Sequence, residues 1–158
     1  MKRDLEPNWE FVSDGVMGGM SDGALTSETI NGREATRLRG RVSTENNGGF
    51  IQMTFDINAS GAPYDARRWS GIELDVLGNN EAYETRLRTS DLDKPWQSFR
   101  FEFLAGKNWT TIRMPFSAFS AHRHDKVYDA AQLRRVGVLA IGREFDADIA
   151  VAQVRFYN

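Results

Sequence analysis

The chain has 158 residues, a formal charge of −2, 41% hydrophobic and 11% aromatic residues, and no cysteine. That is enough chain for one core without covalent staples and too apolar for a disordered protein. Without cysteine there are no disulfides, thiolate zinc sites or cysteine nucleophiles, and the small net charge gives no general attraction to nucleic acid or anionic lipid.

The N-terminal M-K-R-D-L-E-P-N-W carries no apolar run of the signal-peptide kind, and no segment approaches the ~18 apolar residues of a membrane-spanning helix. The expectation is a soluble cytoplasmic protein, without an integral membrane segment and reaching a membrane only through a partner. Residues 9–12 alternate large apolar with polar side chains behind Pro7 and predict a first strand. Ser13-Asp14-Gly15 is turn chemistry, and Gly18-Gly19 repeats it after Val16 and Met17, which predicts a compact loop folded back on the core.

Residues 24–29 and 35–42 bracket Asn31-Gly32, a strong hairpin signal. In the second of these strands Arg37, Arg39 and Arg41 share one face. Asn46-Asn47-Gly48-Gly49 turns the chain into a strand at 50–57. A connection at 58–70 leads to strands at 72–77 and 82–89, joined by Gly78-Asn79-Asn80. A polar loop at 90–95 precedes an alternating strand at 96–104 with Phe99, Phe101 and Phe103 on one side. Strands follow at 109–114, 136–141 and 149–157, with one short helical turn expected over 129–135, capped by Asp129 and anchored by Leu133. About ten strands at short spacing, with glycine- and asparagine-rich turns, predict an all-β sandwich or barrel, in a single domain over 1–158 with its core at about 9–157.

The segments W-E-F-V-S-D-G-V-M-G-G-M-S-D-G, N-N-G-G-F, Y-E-T-R-L-R-T and W-T-T-I-R-M-P-F-S-A-F occur in that order from Trp9 onwards. In this the chain resembles the complex I intermediate-associated protein family, the assembly-factor domain of respiratory NADH:ubiquinone oxidoreductase. The resemblance implies an antiparallel jelly-roll β-sandwich of the galactose-binding-domain-like kind. It also implies a non-catalytic role through protein partners, respiratory-complex subunits or assembly intermediates among them.

The glycine loop is neither G-x-G-x-x-G nor a phosphate loop. Its first reading is structural: Gly15, Gly18 and Gly19, with Gly48 and Gly49 in the later turn, satisfy tight turns and close packing. The competing reading has Asp14, Met17 and Ser21 presenting a recognition edge to a partner. His122 and His124 in H-R-H-D lack a third ligand nearby, so no metal is expected, and no G-x-S-x-G elbow accompanies them. Asp14, Asp22, Asp146 and Asp148 are where a structural calcium would sit, but turns favour Asp anyway, and no cofactor is expected. Arg86 and Arg88 share a strand face, with Trp96 and Gln97 across the 90–95 loop. That set suits a sugar or a polar peptide, as in carbohydrate-binding modules that use a concave sheet face. The alternative is a solvated face with ordinary ion pairs. A basic total and interleaved aromatics, the marks of a nucleic-acid binder, are both missing.

Overall fold

Alternation of apolar and polar residues is realised as strand along most of the chain. The computed structural model describes the backbone of residues 1–158 and every side chain except those of Val16, Met17 and Asn47. Its strands are β1 (Lys2–Asp4), β2 (Glu10–Ser13), β3 (Asp22–Ile30), β4 (Arg33–Val42), β5 (Phe50–Asp56) and β6 (Gly71–Leu77). They continue as β7 (Glu81–Thr89), β8 (Ser98–Ala105), β9 (Thr110–Pro115), β10 (Ser120–His122), β11 (Leu133–Ile141) and β12 (Phe145–Tyr157).

One sheet runs β3-β4-β12-β6-β9, with β1 added beside the end of β12; the other runs β10-β8-β7-β11-β5-β2. Every pairing is antiparallel, as in a jelly roll. Leu38, Ile72, Leu74, Ile149 and Phe156 from the first sheet meet Ile51, Met53, Phe55, Leu87 and Val138 from the second, all essentially without exposure. Each such side chain stabilises the sandwich by about 1.5–3 kcal/mol. The 58–70 connection closes one end of the core: Tyr64 and Trp69 stack on Phe156 at 5.3 and 6.0 Å between ring centroids.

The strands number twelve rather than about ten, because the three-residue β1 and β10 carry no alternation to read. The helical turn expected over 129–135 is a single 3-10 turn at Ala130–Gln132. Asp129 caps it by accepting from the Ala131 N–H at 3.0 Å, and Leu133 already begins β11, fully buried. Trp96 lies in the loop before β8 rather than within a strand. Among the described residues no helix is long and apolar enough to cross a membrane.

On the outer face of the first sheet, positive and negative rows match. Arg37 grips Asp148 with two bonds of 2.7 Å and also meets Glu28 at 3.2 Å, and Arg41 reaches Asp146 at 3.4 Å. Arg155 bridges Asp75 (two bonds of 2.8 Å) and Glu73 (2.9 Å), where Lys2, Arg33 and Arg113 complete the pairing.

Candidate functional site

The glycine loop is built around one carboxylate. Ser13 caps the 3-10 turn Asp14–Met17 by accepting from the Gly15 N–H, and Gly18 ends it at φ 84°, in the left-handed region. The chain thereby reverses over the Asp14 side chain, which has no solvent exposure. Its Oδ1 accepts from the Ser21 N–H at 3.0 Å. Its Oδ2 accepts from the Ser21 hydroxyl at 2.6 Å, the Gly49 N–H at 2.5 Å and the Phe50 N–H at 3.3 Å. Burial alone would raise the carboxyl's pKa; the Ser21 hydroxyl and the Gly49, Ser21 and Phe50 N–H groups outweigh it and hold the group below its ordinary 3.8. Gly19 and Gly48 lie flat against the carboxylate, where a Cβ on either would overlap it.

Ser21 extends the knot, its hydroxyl accepting from the Ser43 N–H at 2.8 Å. One buried anion thus ties the end of β2 to the starts of β3 and β5 and the end of β4. Asp14 and Ser21 therefore do not present a recognition edge: both are turned inward and fully engaged. The Met17 side chain, expected at that edge, lies outside the described residues. Sequence reasoning could not see the burial, because an aspartate in S-D-G reads as a turn residue and two of its four donors come from a second loop, 35 and 36 residues away.

The second sheet's outer face is different. Alternation along β7 sends Tyr83, Thr85 and Leu87 into the core and Glu84, Arg86 and Arg88 outward. The floor is recessed: Thr54 and Leu139 face outward yet are each only 3% exposed. Arg86 stands directly opposite Arg100 on β8, and Arg88 opposite Arg135 on β11. Arg86 is held by Glu84 at 3.0 Å, which Arg100 shares at 3.9 Å. Arg135 is answered by Asp56 at 2.8 Å and Glu10 at 3.7 Å. Arg88 donates one bond to the Lys94 carbonyl at 3.0 Å, and its Nε is buried without an acceptor. Burial, then Arg134 and Arg135, lower its pKa from the ordinary 12.5.

β10 adds His122, paired with Ser98 of β8. Burial first, then Arg86, Arg100 and Arg123, lower the His122 pKa below 6.5 against a smaller opposing effect of Glu84, so the ring is neutral near pH 7. Gln97 organises the rim, accepting from the Lys94 N–H at 3.2 Å and donating to the Arg123 carbonyl at 3.4 Å. Trp96 beside it is 53% exposed. The structure therefore gathers Arg86, Arg88 and Gln97 with Arg100, His122 and Arg123. The sequence does not join Arg100 or His122, the latter there only a metal or triad candidate, to this set, because only strand register brings them to β7, and Arg123 follows directly after β10.

His124 points elsewhere. It packs edge-on against Phe99, accepts at Nδ1 from the Lys126 N–H (3.1 Å) and lies 2.8 Å from the Ser98 carbonyl through Nε2, which must carry the proton. Among the described residues no three His, Asp or Glu side chains converge as metal ligands. A groove of about 440 Å³ opens at the other side of the sandwich between Pro7, Trp9, Ser27, Thr29 and Gln153.

The sequence profile described as Complex I intermediate-associated protein 30 matches residues 2–147. An uncharacterized protein of Schizosaccharomyces pombe is 25% identical over 125 residues, covering 72% of this chain and 57% of that protein, so the chain spans little more than half of that relative's length. The fold is similar to that of the family 11 carbohydrate-binding module of a Clostridium thermocellum cellulosomal cellulase, at a TM-score of 0.82 and 12% identity over 100% of this chain and 95% of that one. The Clostridium thermocellum family 11 module in complex with a mixed-linked β-1,3-1,4 tetrasaccharide gives 0.80 at 12% identity, over 99% and 95%. A family 30 module from a cellulase of the same organism gives 0.74 at 10% identity, over 100% and 98%. At such identities the likeness is one of fold.

Proposed function

The chain belongs to the complex I intermediate-associated protein 30 family, and from that premise we propose that it is a non-catalytic domain that binds protein partners during the assembly of a respiratory complex. The family match over residues 2–147 carries this reading. The recessed second-sheet face supports it as a polar surface open to a partner, since strand register gathers Arg86, Arg88, Arg100 and His122 there. Cross-linking of the tagged protein in cells that build complex I, followed by identification of the captured chains, tests it. Enrichment of respiratory-complex subunits or their assembly intermediates is expected; their absence, with the bait fully soluble and folded, refutes the proposal. Any membrane association would then run through those partners.

A second reading is favoured by one observation, the TM-scores of 0.80 and 0.82 to family 11 carbohydrate-binding modules. In it the face bearing Arg86, Arg88 and Trp96 holds a sugar, with the indole as stacking platform. Binding on a glycan array that disappears in Trp96→Ala would establish this reading. Silence on the array would remove it.

A further inference from the structure

We propose that the Arg86, Arg88, Arg100 and His122 end of the second sheet's outer face is a carboxylate-binding site that takes an acidic segment of a protein partner. The inference rests on the protein-binding reading above and names the chemistry of the partner.

Two arginine pairs face each other directly across strands, Arg86 with Arg100 and Arg88 with Arg135. Like charges directly opposite in a sheet are destabilising, so a face that keeps two such pairs needs anions to offset them. Within the chain the offset is uneven. Arg135 has Asp56 and Glu10. Glu84 alone serves both Arg86 and Arg100. Arg88 meets only a backbone carbonyl, and no carboxylate pairs with it among the described residues. Its Nε is buried without an acceptor, as is that of Arg134, so the hydrogen bonding of the Arg88 guanidinium is incomplete within the chain.

The surroundings strengthen the demand. Glu84 and Arg86 side chains are only 13% and 14% exposed, so water screens these charges poorly. A guanidinium fork matches a carboxylate with two parallel bonds, and a neutral imidazole beside it supplies one more donor. The acid flanks select among anions. Glu10, Asp56, Glu84 and Glu102 lie on the same face, Glu84 and Glu102 directly opposite each other beside the Arg86–Arg100 pair, and the chain as a whole carries −2. A long uniform polyanion such as nucleic acid would run into them, whereas a short acidic segment places its carboxylates on the arginines alone.

The test is calorimetric titration of the intact protein with a hexaglutamate peptide, against hexaglutamine and against a short oligouridylate. Expected is binding of the glutamate peptide that weakens with salt, no binding of the glutamine peptide, and at least about tenfold loss of affinity in Arg88→Met, the worth of one charge-assisted bond. Arg88→Met should melt close to the native chain, since loss of the bond to the Lys94 carbonyl is offset by removal of a desolvated charge that has no counter-ion among the described residues; a merely structural arginine would lower the melting point. The His122 imidazole, followed by NMR, should titrate at higher pH with the glutamate peptide bound, because the added anion opposes Arg86, Arg100 and Arg123 as Glu84 does. Equal binding of the two peptides, unchanged affinity in Arg88→Met, or preference for the oligouridylate overturns the proposal. Peptide binding without capture of respiratory-complex subunits would keep the site and reject the assembly role. Capture without peptide binding would do the reverse.

Discussion

Asp14→Asn isolates what the glycine loop does, because it keeps the shape of the side chain and removes only the charge and one acceptor. Three donors converge on Oδ2, from the Ser21 hydroxyl and the Gly49 and Phe50 N–H groups, and one on Oδ1, from the Ser21 N–H. The better orientation of the new amide keeps its oxygen towards the three and turns its NH₂ on the Ser21 N–H. That orphans one buried donor, about 1–3 kcal/mol, and reduces three bonds from charge-assisted to neutral, about 1 kcal/mol each. No longer burying a charge returns part of this, leaving a net loss of about 3 kcal/mol. For a domain of this length, where each kcal/mol moves the midpoint by about 2–4 °C, melting should fall by roughly 10 °C. The pH dependence has a fixed sign. The native carboxyl titrates below its unfolded value of 3.8, so its contribution is present above that pH and is lost as pH falls through the lower native value. Urea unfolding at neutral pH and at about pH 3 should therefore show the native–variant difference shrinking in acid. A loss below about 1 kcal/mol at neutral pH, or one that is the same at both pH values, would mean that the loop does not depend on this anion.

Gly48→Ala should destabilise the native chain because its Cβ overlaps the Asp14 carboxylate. In an Asp14→Ala background that penalty should shrink, giving a coupling of about 1–2 kcal/mol in a double-mutant cycle; simple additivity would refute it. Arg155→Met leaves Asp75 and Glu73 buried without their shared cation and should cost about 3 kcal/mol by urea denaturation. The Arg155 hydrogen bond is the main reason Asp75 titrates well below 3.8, so native stability is kept above that pH and lost as pH drops, and the variant's acid transition should move to higher pH. Tyr83, pushed up to about 12 by burial, accepts from the Asp148 N–H at 2.9 Å. Tyr83→Phe orphans that donor and should cost about 1–3 kcal/mol, and ultraviolet titration should lose one phenol ionising near the top of the accessible range.

The hairpin at Asn31-Gly32 was legible because its chemistry is local: both residues adopt positive φ, 47° and 81°, as the turn demands. The faces of β7 and β8 were legible for the same reason, since period-two alternation fixes which residues share a side. β1 and β10 were not, being three residues each with nothing to alternate; their pairing with β12 and β8 defines them. Nor was the start of β12, where Asp146 and Asp148 read as a polar turn. They are strand residues because Arg41 and Arg37 of β4 stand opposite or diagonal to them and supply the counter-charge. The candidate site divides along the same line. Arg86 and Arg88 follow from alternation, while Arg100 and His122 join them only through register, which no single strand contains.

The two outer faces show where partner binding should be sought. On the first sheet each arginine row meets an acidic one, Arg37 and Arg41 with Asp148 and Asp146, Arg155 with Asp75 and Glu73. Such a face is complete within the chain. The second sheet instead sets arginine against arginine twice and leaves Arg88 without a carboxylate among the described residues. Sequences whose local choices agree fold well, and the places where a local rule is broken without internal compensation are where function is concentrated. In the stretch from Trp9 to Gly23, Asp14, Gly18, Gly19 and Ser21 are accounted for by one buried knot. Under the proposed reading, the buried knot and the binding chemistry occupy different parts of the molecule. Substitutions in the glycine loop should be read through stability, and those on the arginine face through affinity.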